Sequence, residues 1–155
     1  MTGYRVGFVV GDKRIISGFQ KVKTNIDSGT PTFIQDAATK ALEDQIEVAK
    51  MREEYRQKRD IMVEALRHYG LPTSKSDATF YLWQKIPFSL KSIKFAEILA
   101  SIGIIVTPGE LISECIDGKN PGEEFVRLAL VPTIDETKEA ARRIKEQLTK
   151  QLPQK

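Results

Sequence analysis

The feature that most limits the fold of this chain is a helix-forming run from Pro31 to Tyr69. Ile34, Ala37, Ala38, Ala41, Leu42, Ile46 and Ala49 recur at spacings of three and four, which is one helical face. The stripe resumes as Met51, Tyr55, Met62, Leu66 and Tyr69, opposite a charged side of Glu53, Glu54, Arg56, Lys58, Asp60, Glu64 and Arg67. Thr30 suits an N-cap and Pro31 the first helical position, while Gly70 and Pro72 stop the run. Globular helices average about 11–12 residues. The run therefore either breaks near residues 46–50 or bridges two lobes. No heptad repeat is sustained long enough for a coiled coil.

Around it the pattern is that of an α/β chain. Tyr4 to Asp12 reads as a strand closed by a Gly-Asp turn, and residues 14–23 as a short helix with Ile15, Ile16, Phe19 and Val22 on its apolar side. A strand with nothing before it is expected of a chain that starts mid-domain. After the long run, residues 79–86 read as an aromatic-rich strand ended by Pro87. Ser92 opens a helix that Gly103 closes, and residues 104–107 make a short strand running into Pro108-Gly109. Phe125 to Val131 is a further strand. Thr133 and Glu136 form a capping box for a last amphipathic helix with Ala140, Ala141, Ile144 and Leu148 inward, and the tail from Lys150 frays.

Composition narrows the chemistry. The chain has 155 residues, usual for one domain, with 41% hydrophobic and 29% charged residues, which is globular usage. A net charge of +3 gives no reason to expect a nucleic-acid or membrane partner. No apolar run approaches the roughly 18–20 residues of a spanning helix, and no signal-peptide pattern opens the sequence. The single Cys115 excludes an internal disulfide and fits a reducing compartment; it is read as an inert thiol. The single His68 excludes a His-pair metal motif, leaves little for a Ser-His-Asp triad, and is read as a helix-dipole partner. Tyr81 and Trp83 read as strand packing, and the charges of residues 52–60 as a solvated helix face.

Two arginines break the local pattern. Arg127 sits inside Phe125-Val126-Arg127-Leu128-Ala129-Leu130-Val131, sharing a face with Phe125, Ala129 and Val131. A guanidinium in an apolar strand is costly unless it is paired or solvated: by a carboxylate of the same protein, by water at a strand end, or by a ligand anion matched to its planar fork. Arg5 stands between glycines in Gly3-Tyr4-Arg5-Val6-Gly7, where small neighbours let an anion approach the backbone; its plain alternative is a solvent-facing strand arginine. Gly3, Gly7 and Gly11, at intervals of four, fit neither the dinucleotide nor the P-loop spacing.

The string Met1-Thr2-Gly3-Tyr4-Arg5-Val6-Gly7 resembles the segment after the cofactor lysine in class I/II pyridoxal-phosphate-dependent aminotransferases of fold type I. Three more landmarks follow in that family's order: Ala78-Thr79-Phe80-Tyr81-Leu82-Trp83, Ile105-Val106-Thr107-Pro108-Gly109, and Glu124-Phe125-Val126-Arg127-Leu128-Ala129-Leu130. The flavour is similar to bacterial aspartate or succinyldiaminopimelate aminotransferases. The resemblance covers essentially the whole chain and implies the C-terminal portion of such an enzyme, a long bridging helix followed by an α+β small domain. Residues 1–46 would be a remnant of the large cofactor-binding domain and residues 47–155 the small domain.

The resemblance also implies roles. Arg5 matches the arginine that binds the phosphate of pyridoxal 5'-phosphate, and Arg127 the one that clamps the substrate's α-carboxylate. Residues 27–30 fall where relatives reach across a dimer interface. The Schiff-base lysine would lie upstream of Met1, and Lys13, Lys21 and Lys23 do not sit in its motif. The expectation is thus a cytoplasmic, homodimeric parent enzyme moving an amino group between an amino acid and a 2-oxo acid, of which this chain alone is inactive and binds cofactor weakly. The alternative is a stand-alone α+β carboxylate-binding or regulatory module without catalysis.

Overall fold

The computed structural model of the protein describes residues 3–68, 70–71, 76–87 and 90–151. Met1, Thr2, Tyr69, Pro72 and the tail beyond Gln151, which enter the sequence patterns above, lie outside the described residues. The chain divides into two units, Met1–Lys50 and Met51–Lys155.

The first unit holds α1 (Lys13–Ile26) and α2 (Thr32–Leu42) and begins α3 (Gln45–Arg67). The strand expected over residues 4–12 is not formed, and residues 5–12 are neither helix nor strand. Arg5 has φ of 53°, a left-handed conformation foreign to a strand, and no described strand pairs with this segment. Asp12, expected in the turn, is the cap of α1: its Oδ1 accepts from the Arg14 amide at 2.8 Å. No described residue of this unit is buried, and Phe8, Val10, Ile15, Ile26 and Phe33 are all at least 70% exposed.

The long helical run is broken, but earlier than residues 46–50. It stops at Glu43–Asp44, where Asp44 Oδ1 accepts from the amides of Ile46 and Glu47 at 3.0 Å and starts α3 anew. Asp44 and Glu47 have the capping spacing, a local signal that the apolar stripe concealed. At the start of α2 the cap is Pro31 rather than Thr30, with no side-chain hydrogen bond.

The second unit is two-layered. β1 (Tyr81–Lys85), β2 (Thr107–Pro108) and β3 (Phe125–Ala129) form an antiparallel sheet in the order β1-β3-β2. Leu82, Gln84, Val126 and Leu128 are buried on one face, as a period of two requires. Their core includes Met62, Ala65 and Leu66 of α3, Phe95 and Leu99 of α4 (Ser92–Ser101), and Ala141, Ile144 and Leu148 of α5 (Ile134–Gln151). The expected strand at residues 104–107 shrinks to Thr107–Pro108. Ile104 instead turns inward as core, its amide donating to the Leu99 carbonyl at 2.9 Å as the backbone leaves α4. Lys58 is another departure: it is 3% exposed, not on the solvated face. Its ammonium reaches Glu54 at 2.5 Å while its stem is covered.

Helix α5 carries the expected capping box. Thr133 donates from its amide and hydroxyl to Glu136 Oε2, both at 2.8 Å, and the Glu136 amide returns a bond to Thr133 Oγ1 at 3.3 Å. These bonds from Thr133 hold the Glu136 carboxyl below its ordinary pKa. Further along, Arg142 and Arg143 hold Glu139 down to about 2. A depressed carboxylate stabilises the fold above its unfolded value near 4.5, and that contribution fades as pH falls towards about 2. Thr133→Ala is expected to destabilise the protein by about 1 kcal/mol, read as a lower urea midpoint at unchanged slope.

Candidate functional site

Burial of one sheet face leaves the other open, and the chemistry-bearing residues lie there. Arg127 is in the central strand, with Trp83 opposite it on β1 and Thr107 opposite it on β2. Tyr81, Trp83 and Lys85 of β1 share this face with Phe125, Arg127 and Ala129 of β3, because cross-strand partners point the same way.

The guanidinium of Arg127 is held by its neighbours, with no ion pair among the described residues. Its Cζ lies 4.6 Å from the centroid of the Tyr81 ring, a cation–π contact. Nη2 donates to Thr107 Oγ1 at 3.4 Å. Nε is buried and has no hydrogen-bond partner. No carboxylate among the described residues lies within ion-pair distance of it. Of the expected ways to satisfy this arginine, an internal carboxylate is therefore not the one found. An aromatic ring and a hydroxyl orient the fork, and no carboxylate among the described residues compensates its charge, an arrangement suited to an external anion.

The rest of the face is firmly built. Trp83 stacks on Phe125 with centroids 5.4 Å apart and planes at 10°. Lys85 pairs with Glu124 at 3.1 Å. Gly109, which follows β2, presses against Trp83 and the backbone of Phe125 and Gly122: a Cβ there would lie 2.3 Å from the Gly122 carbonyl, 2.6 Å from that of Phe125 and 2.9 Å from Trp83 Cη2. Behind the turn, Ser92 Oγ donates to Glu110 Oε2 at 2.6 Å, and Asn120 Nδ2 donates to the Glu110 carbonyl at 3.0 Å. Ser92 does not cap α4, whose N-cap is Lys91; it is buried and ties that helix to the turn after β2.

Arg5 belongs to the other unit. It is exposed and has no ion-pair partner among the described residues. Open space surrounds Gly3 and Gly7, since an added Cβ at either would meet nothing within 4 Å. Backbone and guanidinium are both accessible to an anion.

The other candidates lie apart from this face. Cys115 is a free, exposed thiol, and no cluster of metal-binding side chains occurs among the described residues. His68 follows the last residue of α3, its amide bonded to the Glu64 carbonyl. A groove of about 540 Å³ runs between residues 104–106, residues 128–130 and α5, but Glu139 and Arg143 in its wall bond each other at 2.8 Å. Sequence reasoning missed Tyr81 and Thr107 as partners of Arg127. The alternation of β1 could have placed Tyr81 on a face with Trp83; Thr107 required the strand register.

The sequence model of the family "Aminotransferase class I and II" matches residues 1–144. The LL-diaminopimelate aminotransferase of Aquifex aeolicus is 42% identical over 147 residues, covering 94% of this chain and 36% of that protein. The chain thus spans little more than a third of the length of the curated relatives it matches. Among solved structures, an aromatic aminotransferase from Pyrococcus horikoshii superposes with a TM-score of 0.79 at 34% identity, over 97% of this chain and 40% of that one. A probable N-succinyldiaminopimelate aminotransferase from Thermus thermophilus gives 0.75 at 32% identity, over 94% and 38%.

Gly109→Ala is expected to cost about 1–3 kcal/mol, because two of the three atoms in the way are backbone oxygens. Thermal unfolding with tryptophan fluorescence reads both the loss and the displacement of Trp83.

Proposed function

Since the chain belongs to the class I and II aminotransferases, we propose that it supplies the C-terminal part of an enzyme that transfers an amino group between an amino acid and a 2-oxo acid. The observation that carries this reading is the guanidinium of Arg127, stacked on Tyr81 on the sheet face away from the core and with no carboxylate partner among the described residues. Arg127 receives the α-carboxylate of the substrate. A planar fork fixes both position and rotation of a carboxylate, so the substrate's α-carbon is presented in one orientation.

The cofactor this family implies is pyridoxal 5'-phosphate. The residues present fit one part of it: Arg5, exposed and with open space at the neighbouring glycines, is suited to a phosphate dianion. When bound, the cofactor serves as an electron sink for the bond broken at the substrate's α-carbon. Arg5 would hold that phosphate by charge. Lys13, Lys21 and Lys23 do not sit in the family's Ser-Lys motif, so none of them is assigned the proton at the α-carbon.

Residues 1–46 are read as the remnant of the large cofactor-binding domain and residues 47–155 as the small domain with its bridging helix. The exposed apolar side chains of the first unit support this, since Phe8, Val10 and Ile15 have the character of interior residues and find no interior here. The parent enzyme is read as a cytoplasmic homodimer with residues 27–30 at the subunit boundary. No helix among the described residues is long and apolar enough to cross a membrane.

Alone, the chain is expected to bind pyridoxal phosphate weakly, to lose that binding in Arg5→Ala, and to show no transamination of LL-diaminopimelate, the substrate named for the Aquifex relative. Turnover by the chain alone would refute the reading that none of its own lysines serves as the Schiff-base lysine. Calorimetry with amino acids and 2-oxo acids should show at least about tenfold weaker binding in Arg127→Ala, the scale of a lost charge-assisted bond. A metabolite signal that depends on Arg127 but is indifferent to the cofactor would point instead to the stand-alone carboxylate-binding module.

A further inference from the structure

Arg127 offers a restricted set of donors. Nε is buried without a partner, so that edge of the fork is closed to a ligand. Nη2 spends one hydrogen on Thr107 Oγ1. Nη1 has no hydrogen bond among the described residues and is not one of the buried, unpartnered atoms. The open side is therefore the Nη1–Nη2 end. The two contacts that produce this come from opposite strands. Thr107 is the direct neighbour of Arg127 on β2, while Tyr81, paired with Ala129, is its diagonal neighbour on β1. Trp83, directly opposite on β1, is stacked on Phe125. A stacked ring limits tilting of the guanidinium plane, and a hydrogen bond to one terminal nitrogen limits rotation within it.

We propose that Tyr81 and Thr107 are positioning residues that hold Arg127 so that its Nη1–Nη2 end meets the carboxylate. The proposal rests on reading Arg127 as the carboxylate anchor. It assigns selectivity to the orientation of the fork as well as to its charge.

The test uses arginine side-chain NMR of the chain and a titration with pyruvate, a 2-oxo monocarboxylate. Rotation of the Arg127 guanidinium about its Nε–Cζ bond is compared in wild type, Tyr81→Leu, Tyr81→Phe, Thr107→Val and Thr107→Ser. Thr107→Val is nearly isosteric and Tyr81→Phe keeps the ring, so folding is preserved where it matters. Tyr81→Leu and Thr107→Val should each speed the rotation and weaken pyruvate by about threefold, the scale of one exposed cation–π contact or one neutral hydrogen bond. Tyr81→Phe and Thr107→Ser should restore the slow rotation and the affinity, a rescue that a merely structural effect would not follow. Unchanged rotation in both Tyr81→Leu and Thr107→Val would overturn the proposal. Failure of pyruvate to bind wild type would count against Arg127 as an anchor, and the rotation comparison would still decide whether Tyr81 and Thr107 position it.

Discussion

Everything at the candidate carboxylate site depends on the packing of one sheet face. Leu82, Val126 and Leu128 are drawn against α3, α4 and α5 by burial of apolar surface, worth about 1.5–3 kcal/mol for each fully buried side chain. Because side chains alternate, that burial commits Tyr81, Trp83, Phe125 and Arg127 to the opposite face. A slip of one residue in β3 would put the guanidinium in the core and Val126 outside. The hydrophobic interior thus fixes the register, and the register places the guanidinium of Arg127 on the open face.

The open face is kept in shape by constraints of a different kind. Trp83 stacks on Phe125, and Gly109 approaches both too closely to carry a side chain. Ser92 links the start of α4 to Glu110, just past β2. Thr107 is held beside Arg127 by a strand of only two residues, so these contacts matter more than the length of the ladder. No carboxylate among the described residues pairs with Arg127, whereas many surface charges pair locally, as Arg56 does with Glu53 and Arg142 with Glu139.

Much of this is legible in the sequence. The capping box at Thr133 and Glu136, the inward stripe of α5, and the strands around residues 81 and 127 are local patterns, and each forms where the pattern stands. The departures have physical causes. Val6 to Val10 have strand propensity, yet no described strand pairs with them, and a strand depends on pairing. The helical stripe across residues 41–49 hides the break at Glu43–Asp44, because a cap interrupts the backbone without disturbing the apolar spacing. Lys58 looks solvated by its neighbours' charge, but its long stem is covered while its ammonium reaches Glu54.

Sequence by itself determined the kinds of element, the family resemblance, and the presence of two arginines that break their local pattern. It did so because periodicity, caps and short motifs are local. Only the tertiary structure decided which face of β3 is buried, that no described carboxylate answers Arg127, and that Tyr81 and Thr107 from two other strands set its orientation. Those facts depend on residues 20 and 46 positions away in the chain meeting across one sheet, and no local pattern encodes such a meeting.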